Sequence, residues 1–398
     1  MRKSVMTIAL LSVLSVGAYA QKSAVNKAKL ALNAVNADPK NIKYEKLDEA
    51  WELIQPAMTN PESASEPETW SIAGRCQAFY MNKMLNERQA TGQMDNLKFF
   101  ENQYNIVSFL SKCDELEHQP TAKGKPRKRE FHDSNFLLAK GPRTNLWIAG
   151  TNLFSDNPDL AIKYLDLYLK TLTDSLFHEA DLEHTDTVVN DAKYIMASAY
   201  MAKQDTVSAL PYLNESVESN SYGKNALYNL MQYYKPRDIN KWKEVCSKGF
   251  AQYPSEGVFY KNLYQEYANE HDYSKALGVL EKAIENDPTD EFAHYYRAAT
   301  YYNNGNMSEA FNAFVETIGV NAEYLEAYTG AGTCAWKLAQ DSKDKAKSKE
   351  YYDLAIKYFE EARKLAPENS DAWGYQLYAV YNNSGNAAKA AEFKKYAK

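Results

Sequence analysis

The chain has 398 residues, 45% of them hydrophobic and 25% charged, which is long enough for several domains or for one extended array. Its formal net charge is −6 and it contains no long basic run, which argues against general nucleic-acid binding. Tyrosine is unusually frequent, with 31 against 15 phenylalanines, as suits helices that are packed on one side and wet on the other.

Residues 1–20 have the pattern of a cleavable export signal. Two basic residues precede an apolar stretch over 5–16, and the small-x-small run over 18–20 offers a cleavage site before Gln21. The apolar stretch is too short to span a bilayer comfortably, and it contains no cysteine that could carry a bacterial lipid anchor. The sequence therefore predicts an exported mature chain that is not lipid-anchored, with a bacterial periplasm as its expected location.

Residues 21–175 show divergent helical patterns. A first hairpin is predicted over 24–37 and 43–58, and two longer helices follow at about 67–86 and 97–117. A further hairpin runs from about residue 133 to Leu172. We expect these segments to form an N-terminal set of irregular helical hairpins.

A basic loop interrupts this part of the chain at 118–132, which reads HQPTAKGKPRKREFH. Glycine, prolines and five basic residues in so short a stretch predict an irregular, solvated segment. Two interpretations are open. The favoured one is a loop that keeps the chain in solution, and the other is a basic contact for an acidic partner.

The stretch 174–187 is acidic and irregular, and it contains four residues of metal-ligating type: His178, Glu179, Asp181 and His184. Their spacing matches neither H-E-x-x-H nor two histidines one helical turn apart, and no third ligand motif stands nearby. We therefore predict no metal site and no cofactor.

Four cysteines are too few to staple a chain of this length with disulfides. Cys246 falls at a large apolar position of the repeat described below, and a bridge from it to Cys334 would have to cross more than two repeats. Both are predicted to be buried free thiols. Cys76 and Cys113 lie in consecutive predicted helices, so a bridge between them is left open.

Residues 176–398 carry a regular repeat. Tyrosines recur at intervals of 33, 34 and 34 residues at Tyr200, Tyr233, Tyr267 and Tyr301. Nine residues after each come Ala209, Trp242, Ala276 and Ala310, and four further on come Leu213, Cys246, Leu280 and Phe314. A small residue lets two helices approach closely, and the larger one fills the space against its neighbour. A lysine-rich insertion at about 336–350 is predicted to be a helical extension or an exposed loop.

This period, with an aromatic, a small residue, a large apolar residue and a helix-stopping proline such as Pro288, resembles the tetratricopeptide repeat. The resemblance covers 190–398 best and extends more weakly over 24–175. It implies an all-α fold, a right-handed α-solenoid of about nine stacked antiparallel helical hairpins.

No catalytic pattern accompanies the repeats. The chain has no G-x-S-x-G, no phosphate-binding loop, no dinucleotide fingerprint and no zinc-ligand spacing. We therefore predict that the protein is not an enzyme and that its function lies in binding.

The resemblance implies a concave groove lined by the first helix of each repeat, where positions 2, 5, 9, 12 and 13 face a partner. The partner-binding residues carried over to these positions are Tyr194, Lys224, Met231, Tyr234, Lys261, Gln265, Asn269, Tyr295, Tyr302, Asn303, Trp336, Lys337, Tyr375 and Asn382. For any single tyrosine, packing between repeats is an equal alternative. Some repeats of this type clamp a terminal carboxylate. Lys261 fits that clamp, but Gln265, Tyr296, Glu326 and Gly330 do not, so no such clamp is predicted.

The leading hypothesis is an exported scaffold that binds a peptide or protein in this groove within a cell-envelope assembly. The alternative is a glycan-binding protein of the type of the starch-utilisation D proteins, which embed such repeats and stack sugars on aromatic rings. The missing lipid-anchor cysteine and the length already used by repeats weigh against it. A homo-oligomer through the C-terminal hairpin is a further expectation, because no polar capping helix follows the last repeat.

Overall fold

The structure, a computed structural model, describes residues 22–35, 42–121 and 123–397. All regular elements in these residues are helices, and consecutive helices pack as hairpins, so the predicted all-α solenoid class is confirmed. The export signal predicted over 1–20 lies outside the described residues. Of the helices that are described, none combines the length and the apolar character needed to cross a bilayer.

The chain forms two compact units that divide between Ala226 and Leu227. The helices of unit 1 are α1 (22–35), α2 (Tyr44–Thr59), α3 (Pro67–Thr91), α4 (Asn96–His118), α5 (His132–Leu153), α6 (Pro158–Lys170), α7 (Leu182–Thr185), α8 (Val189–Ala202) and α9 (Thr206–Glu215). Helix α10 (Gly223–Tyr234) runs across the division. The domain boundary expected near residue 175 stays a prediction.

Unit 2 contains four complete hairpins and the helix that precedes them. Its helices are α11 (Ile239–Gln252), α12 (Gly257–Asn269), α13 (Tyr273–Asn286), α14 (Glu291–Asn303), α15 (Met307–Val320), α16 (Leu325–Asp341), α17 (Lys345–Leu365), α18 (Gly374–Asn383) and α19 (Ala387–Phe393). Each helix packs on the next one along the chain, and α14 also contacts α16. The first helices of successive hairpins are α12, α14, α16 and α18.

Short polar side chains begin these helices. The Asp272 carboxylate accepts a hydrogen bond from the Lys275 backbone N–H at 3.2 Å, and α13 starts between them. Asp290 does the same for α14, with the Ala293 N–H at 3.0 Å. Such caps satisfy backbone donors that a helix start leaves free, and each typically stabilises a helix by about 1 kcal/mol. The turn sequences thus fix where α13 and α14 begin, whereas α12, α15, α16 and α18 start without a side-chain cap.

The turns within hairpins need one residue in the left-handed region. Gly305 has φ +83° and Gly385 has φ +81°, whereas His271 adopts φ +58° at the equivalent turn between α12 and α13. A side chain makes this backbone region costly, so glycine is the favoured residue there.

Small residues of one helix meet large residues of the next throughout unit 2. Ala276 and Ala310 are completely buried, as their place in the repeat predicts. A Cβ added to Gly249 would come within 2.3 Å of the Phe259 ring, and one added to Gly332 within 2.9 Å of the Phe359 ring. Each ring therefore occupies the space that the missing side chain leaves.

The lysine-rich insertion is a helical extension. Helix α16 has 17 residues and α17 has 21, whereas α14 and α15 have 13 and 14. Only residues 342–344 connect the two longer helices. The additional residues lengthen both rods, so one hairpin extends beyond its neighbours by about 6–10 Å at 1.5 Å per residue.

The last hairpin closes on itself. After α19 the chain makes a 3-10 turn over Lys394–Tyr396, and the Tyr396 ring packs edge-on against the Trp373 ring at 5.2 Å. Tyr396 also covers Gly374. The turn therefore covers part of the last hairpin with its own residues, and the oligomer expected through this hairpin stays a prediction.

Candidate functional site

The candidate site is the solvent-facing side of α12, α14, α16 and α18 together with the end of α10 in unit 2. We call it the first-helix surface. Six of the predicted partner-binding residues on it are exposed: Lys261, Gln265, Asn269, Asn303, Tyr375 and Asn382. Tyr375 is 50% exposed, which is unusual for an aromatic ring. These residues form the part of the prediction that solvent, or a partner, can reach.

Five further predicted residues are half-buried: Tyr234, Tyr295, Tyr302, Trp336 and Lys337. The Tyr295 ring stacks on the Tyr324 ring at 5.0 Å and leans on the Phe314 ring at 5.9 Å. Burial raises the pKa of Tyr295 and raises that of Tyr324 to about 12, so both hydroxyls stay neutral near pH 7. These aromatics pack between repeats and also line the surface.

Met231 does not belong to the site. It is only 8% exposed and lies in the core, as does Leu227 beside it. The physical reason is that α10 turns these apolar side chains toward its packed neighbours, and no polar group competes for that side of the helix. The prediction of Met231 as a partner-binding residue is therefore wrong.

Two predicted residues belong to unit 1. The Tyr194 ring stacks almost parallel on the Tyr222 ring, with centroids 4.7 Å apart and an interplanar angle of 7°. Lys224 lies in the first turn of α10 and is half-buried. The prediction that these two residues bind a partner therefore concerns unit 1 alone.

Cations on the first-helix surface lie over aromatic rings. The Lys261 ammonium is 4.7 Å from the centre of the Phe292 ring, and the Lys337 ammonium is 4.3 Å from the centre of the Tyr302 ring. A cation over an aromatic face gains about 0.5–1 kcal/mol at an exposed site. These contacts fix the positions of two long, mobile side chains.

Sequence reasoning missed two residues of this surface. Phe292 is half-buried and supports Lys261, and Val258 is 40% exposed on α12. Both occupy position 2 of their repeats, which the resemblance had already marked as facing the groove. Reading every repeat at that position would have found them.

The basic loop of unit 1 is anchored over its described residues 123–131. The Arg127 guanidinium contacts the Glu66 carboxylate at 2.7 Å, and the Glu117 carboxylate accepts hydrogen bonds from the backbone N–H groups of Glu130 and Phe131 at 2.5 and 3.0 Å. The ion pair offsets the charge of Arg127, and the bonds to Glu117 hold the end of the loop in place. The loop is therefore a structural connection between α4 and α5.

A buried carboxylate lies beneath this loop. Asp114 has no exposed surface, and its two oxygens contact His132 Nδ1 and the Ser175 hydroxyl, each at 2.5 Å. Burial alone would raise the pKa of the Asp114 carboxyl, but the hydrogen bonds from Ser175 and His132 and the nearby Arg129 guanidinium together lower it. Aspartate, not histidine, accepts the serine hydroxyl, so this cluster lacks the arrangement of a nucleophilic triad.

The four cysteines are free and buried, which answers the open question on Cys76 and Cys113. Burial raises the pKa of each thiol to about 12, so none is a thiolate near neutral pH. Across the residues that the structure covers, no group of three or more His, Cys, Asp or Glu could hold a metal ion. The His184 ring instead contacts Asp181 at 2.7 Å.

A cleft lies between α1 and α3 of unit 1. It has a volume of about 940 Å³ and is lined by both lysines and glutamates, with Leu30 at its edge. Across its rim, Lys29 pairs with Glu68 at 2.5 Å. Because its charges are balanced and its walls open, shape alone does not make it the preferred site.

A family model described as the tetratricopeptide repeat matches residues 263–322 and 348–398. This supports the tetratricopeptide repeat in the part of the chain where the 34-residue period is clearest. The match includes α14, α18 and most of α12, but not α16.

Known proteins share the repeat but little else. A TPR repeat-containing protein of Methanocaldococcus jannaschii is 22% identical over 317 residues, which is 77% of this chain and 52% of that protein. The chain thus spans about half the length of that relative. The crystal structure of MamA matches 46% of this chain and 95% of its own, with 18% identity and a TM-score of 0.32. That of YrrB, titled a TPR protein with an unusual peptide-binding site, matches 49% and 95%, with 18% identity and a TM-score of 0.33.

Proposed function

We propose that this protein is a non-enzymatic scaffold that binds a peptide or protein segment on the first-helix surface of unit 2. One observation carries the proposal: aromatic, amide and lysine side chains that solvent can reach recur on successive first helices, from Lys261 on α12 to Tyr375 on α18. Rigid aromatics give contact area at little entropic cost, and amides bond to a peptide backbone.

The packing beneath the surface supports the same role. Tyr302 and Trp336 are held by the core clusters of adjacent hairpins, so their exposed edges are fixed before a partner arrives. A surface that is already ordered loses less entropy on binding than a flexible one. Peptide recognition along a row of rigid helices follows from this arrangement.

Selection from a displayed library of random peptides tests the proposal. Peptides of about twelve residues are long enough to cross three first helices in extended form. Enriched peptides would be labelled, and their affinity for the full chain measured by fluorescence anisotropy. We expect Trp336→Ala and Tyr302→Ala each to weaken binding about tenfold, with melting curves checked for each variant.

Tyr273→Ala is the matched control, because Tyr273 lies on the second helix α13, where its ring packs edge-on against that of His271. It should leave affinity unchanged. Failure to enrich any peptide, or equal affinity for wild type and both first-helix variants, would overturn the proposal. Retention of a glycan library in place of peptides would favour the sugar-binding alternative.

We further propose that the mature chain acts in the periplasm, within a cell-envelope assembly. The support is the export pattern of residues 1–20. Fusing these residues to a reporter that is active only after export tests this part. The reporter should be active with the natural segment and inactive with Leu11→Arg, which breaks the apolar stretch. An inactive natural fusion would refute the location.

A further inference from the structure

The lysines of the first-helix surface keep their charge available. Lys261 and Lys337 lie over the rings of Phe292 and Tyr302, and neither ammonium group forms an ion pair with a carboxylate among the residues that the structure describes. A ring orients an ammonium group and removes some of its water without neutralising it. These cations are therefore positioned to meet an anion.

On the second helices, several lysines form ion pairs with carboxylates. Lys243 contacts Glu270 at 2.5 Å, Lys282 contacts Glu285 at 2.9 Å, and Lys364 contacts Glu361 at 2.7 Å. Carboxylate pairing is thus common but not general on the second helices, where Lys241 and Lys357 lie over the rings of Tyr234 and Tyr358.

Carboxylates are scarce where the unpaired lysines lie. At the groove-facing positions of α12, α14 and α16 the sequence places a single one, Glu326, and the other cation of α14, Arg297, is paired with Glu316. The chain as a whole has a net charge of −6. A locally positive surface attracts acidic partners, whereas the net negative charge of the rest of the protein repels them.

The rings beneath Lys261 and Lys337 indicate how long a partner segment must be to reach both lysines. Phe292 and Tyr302, the rings beneath Lys261 and Lys337, both belong to α14 and lie ten residues apart in the sequence. At 1.5 Å per residue, that is about 15 Å along the helix axis. An extended chain covers the same distance in about four to five residues.

We propose that the first-helix surface takes an acidic, extended peptide segment whose two carboxylates, about four to five residues apart, pair with Lys261 and Lys337. The half-buried Tyr295 ring lies on α14 between the two anchoring rings and offers an apolar contact to the side chains in between. This inference rests on the proposed function and names the chemistry of its partner.

The test uses the full chain and the labelled peptides enriched from the random library. Replacing their Asp and Glu residues by Asn and Gln should weaken binding about tenfold or more. Returning two glutamates at separations of two, five or eight residues should restore affinity best at five. The double variant Lys261→Met/Lys337→Met, which keeps the apolar stems over the rings, should lose about tenfold or more for the acidic peptides.

Lys282→Met/Lys364→Met is the matched control, since it removes the same charge from the second helices. It should change affinity by less than about twofold, the scale expected of exposed, paired cations. If peptides bind and depend on Trp336 but not on their own acids or on the two lysines, this inference fails and the proposed function stands. If a single-stranded oligonucleotide or an acidic polysaccharide binds as tightly through the same lysines, the surface is a general polyanion site and the inference is overturned.

Discussion

In unit 1 the helices close around buried charged groups, whereas unit 2 is filled mainly by alanines, glycines and aromatic rings. Asp114 is enclosed by His132 and Ser175, and Arg143 lies buried between Asp186 at 2.7 Å and the Tyr168 ring at 4.3 Å. The buried side chains of α12 to α19 include no Asp, Glu, Lys or Arg, and their polar members are His294, Thr300, Thr317 and several tyrosines.

The difference shows two ways of fixing the same kind of hairpin. Buried charges specify one arrangement because any other arrangement leaves them without partners. They are compatible with long, irregular helices such as α3 and α4, of 25 and 23 residues. Size matching instead pairs a small residue with a large one at each close helix contact, and it holds also where α16 and α17 are longer than their neighbours. Because the core of unit 2 is mainly apolar, most of its polar side chains lie on the solvent-facing surface, where they can contact a partner.

The largest expected effect comes from removing the buried carboxylate of unit 1. Asp114→Ala leaves His132 and the Ser175 hydroxyl without their partner, and breaking such a buried pair typically costs about 3–5 kcal/mol. Chemical denaturation followed by circular dichroism would measure it. Asp166→Ala, which removes the exposed 2.7 Å pair with Lys170, should cost less than about 1 kcal/mol. Equal effects of the two changes would contradict the role of the buried network.

The second effect tests size matching in unit 2. In Gly249→Ala the new Cβ would lie 2.3 Å from the Phe259 ring, and overpacking of this kind typically costs about 1–3 kcal/mol. Gly278→Ala is the control, because no atom lies within 4 Å of its new Cβ and alanine favours a helix by up to about 1 kcal/mol. The two changes should therefore shift the melting temperature in opposite directions. A shift of the same sign would show that the contact is loose.

A third, smaller effect concerns the turns of unit 2. Gly305→Ala places a side chain at φ +83° with no atom within 4 Å of the new Cβ, so only the backbone is strained. We expect a loss of about 1 kcal/mol in unfolding free energy. His271→Gly, at φ +58°, should raise the unfolding free energy because it relieves such strain. A stabilising effect of Gly305→Ala in thermal melts would be inconsistent with a left-handed turn.

The smallest expected effect is a dependence on pH. Because the pKa of Asp114 is lowered in the folded chain, its contribution to stability is full above the unfolded value of about 3.9 and is lost as the pH falls below that value. The stability difference between wild type and Asp114→Asn should therefore shrink between pH 5 and pH 3. A constant difference over that interval would mean that the carboxylate contributes through its shape and not its charge.

The sequence predicted unit 2 well because its period, caps and small residues are local signals. An alanine follows Tyr200, Tyr267 and Tyr301 nine residues later, and each of these alanines is buried at a helix contact as the pattern predicts. After Tyr233 the same position holds Trp242, which is also buried. Unit 1 was predicted only as helices. Its contacts join residues far apart, such as Asp114 with Ser175 and Arg127 with Glu66, and no local pattern announces them.

The candidate site could be predicted only in part for a related reason. Groove positions identify which side of a helix is turned outward, so the exposure of Lys261, Gln265 and Asn303 could be predicted. Whether an apolar residue at such a position is covered depends on the neighbouring helix, which is why Met231 was misplaced. The lysine–ring contacts also join adjacent repeats and need coordinates.

A photoreactive residue at the centre of an enriched peptide gives the most direct test of the first-helix surface. After crosslinking to the full chain, mass spectrometry would locate the labelled residues. We predict labels on α14, around Tyr295 and Tyr302, and on the facing sides of α12 and α16. Labels confined to the second helices α13 and α15, or to the basic loop of unit 1, would contradict it.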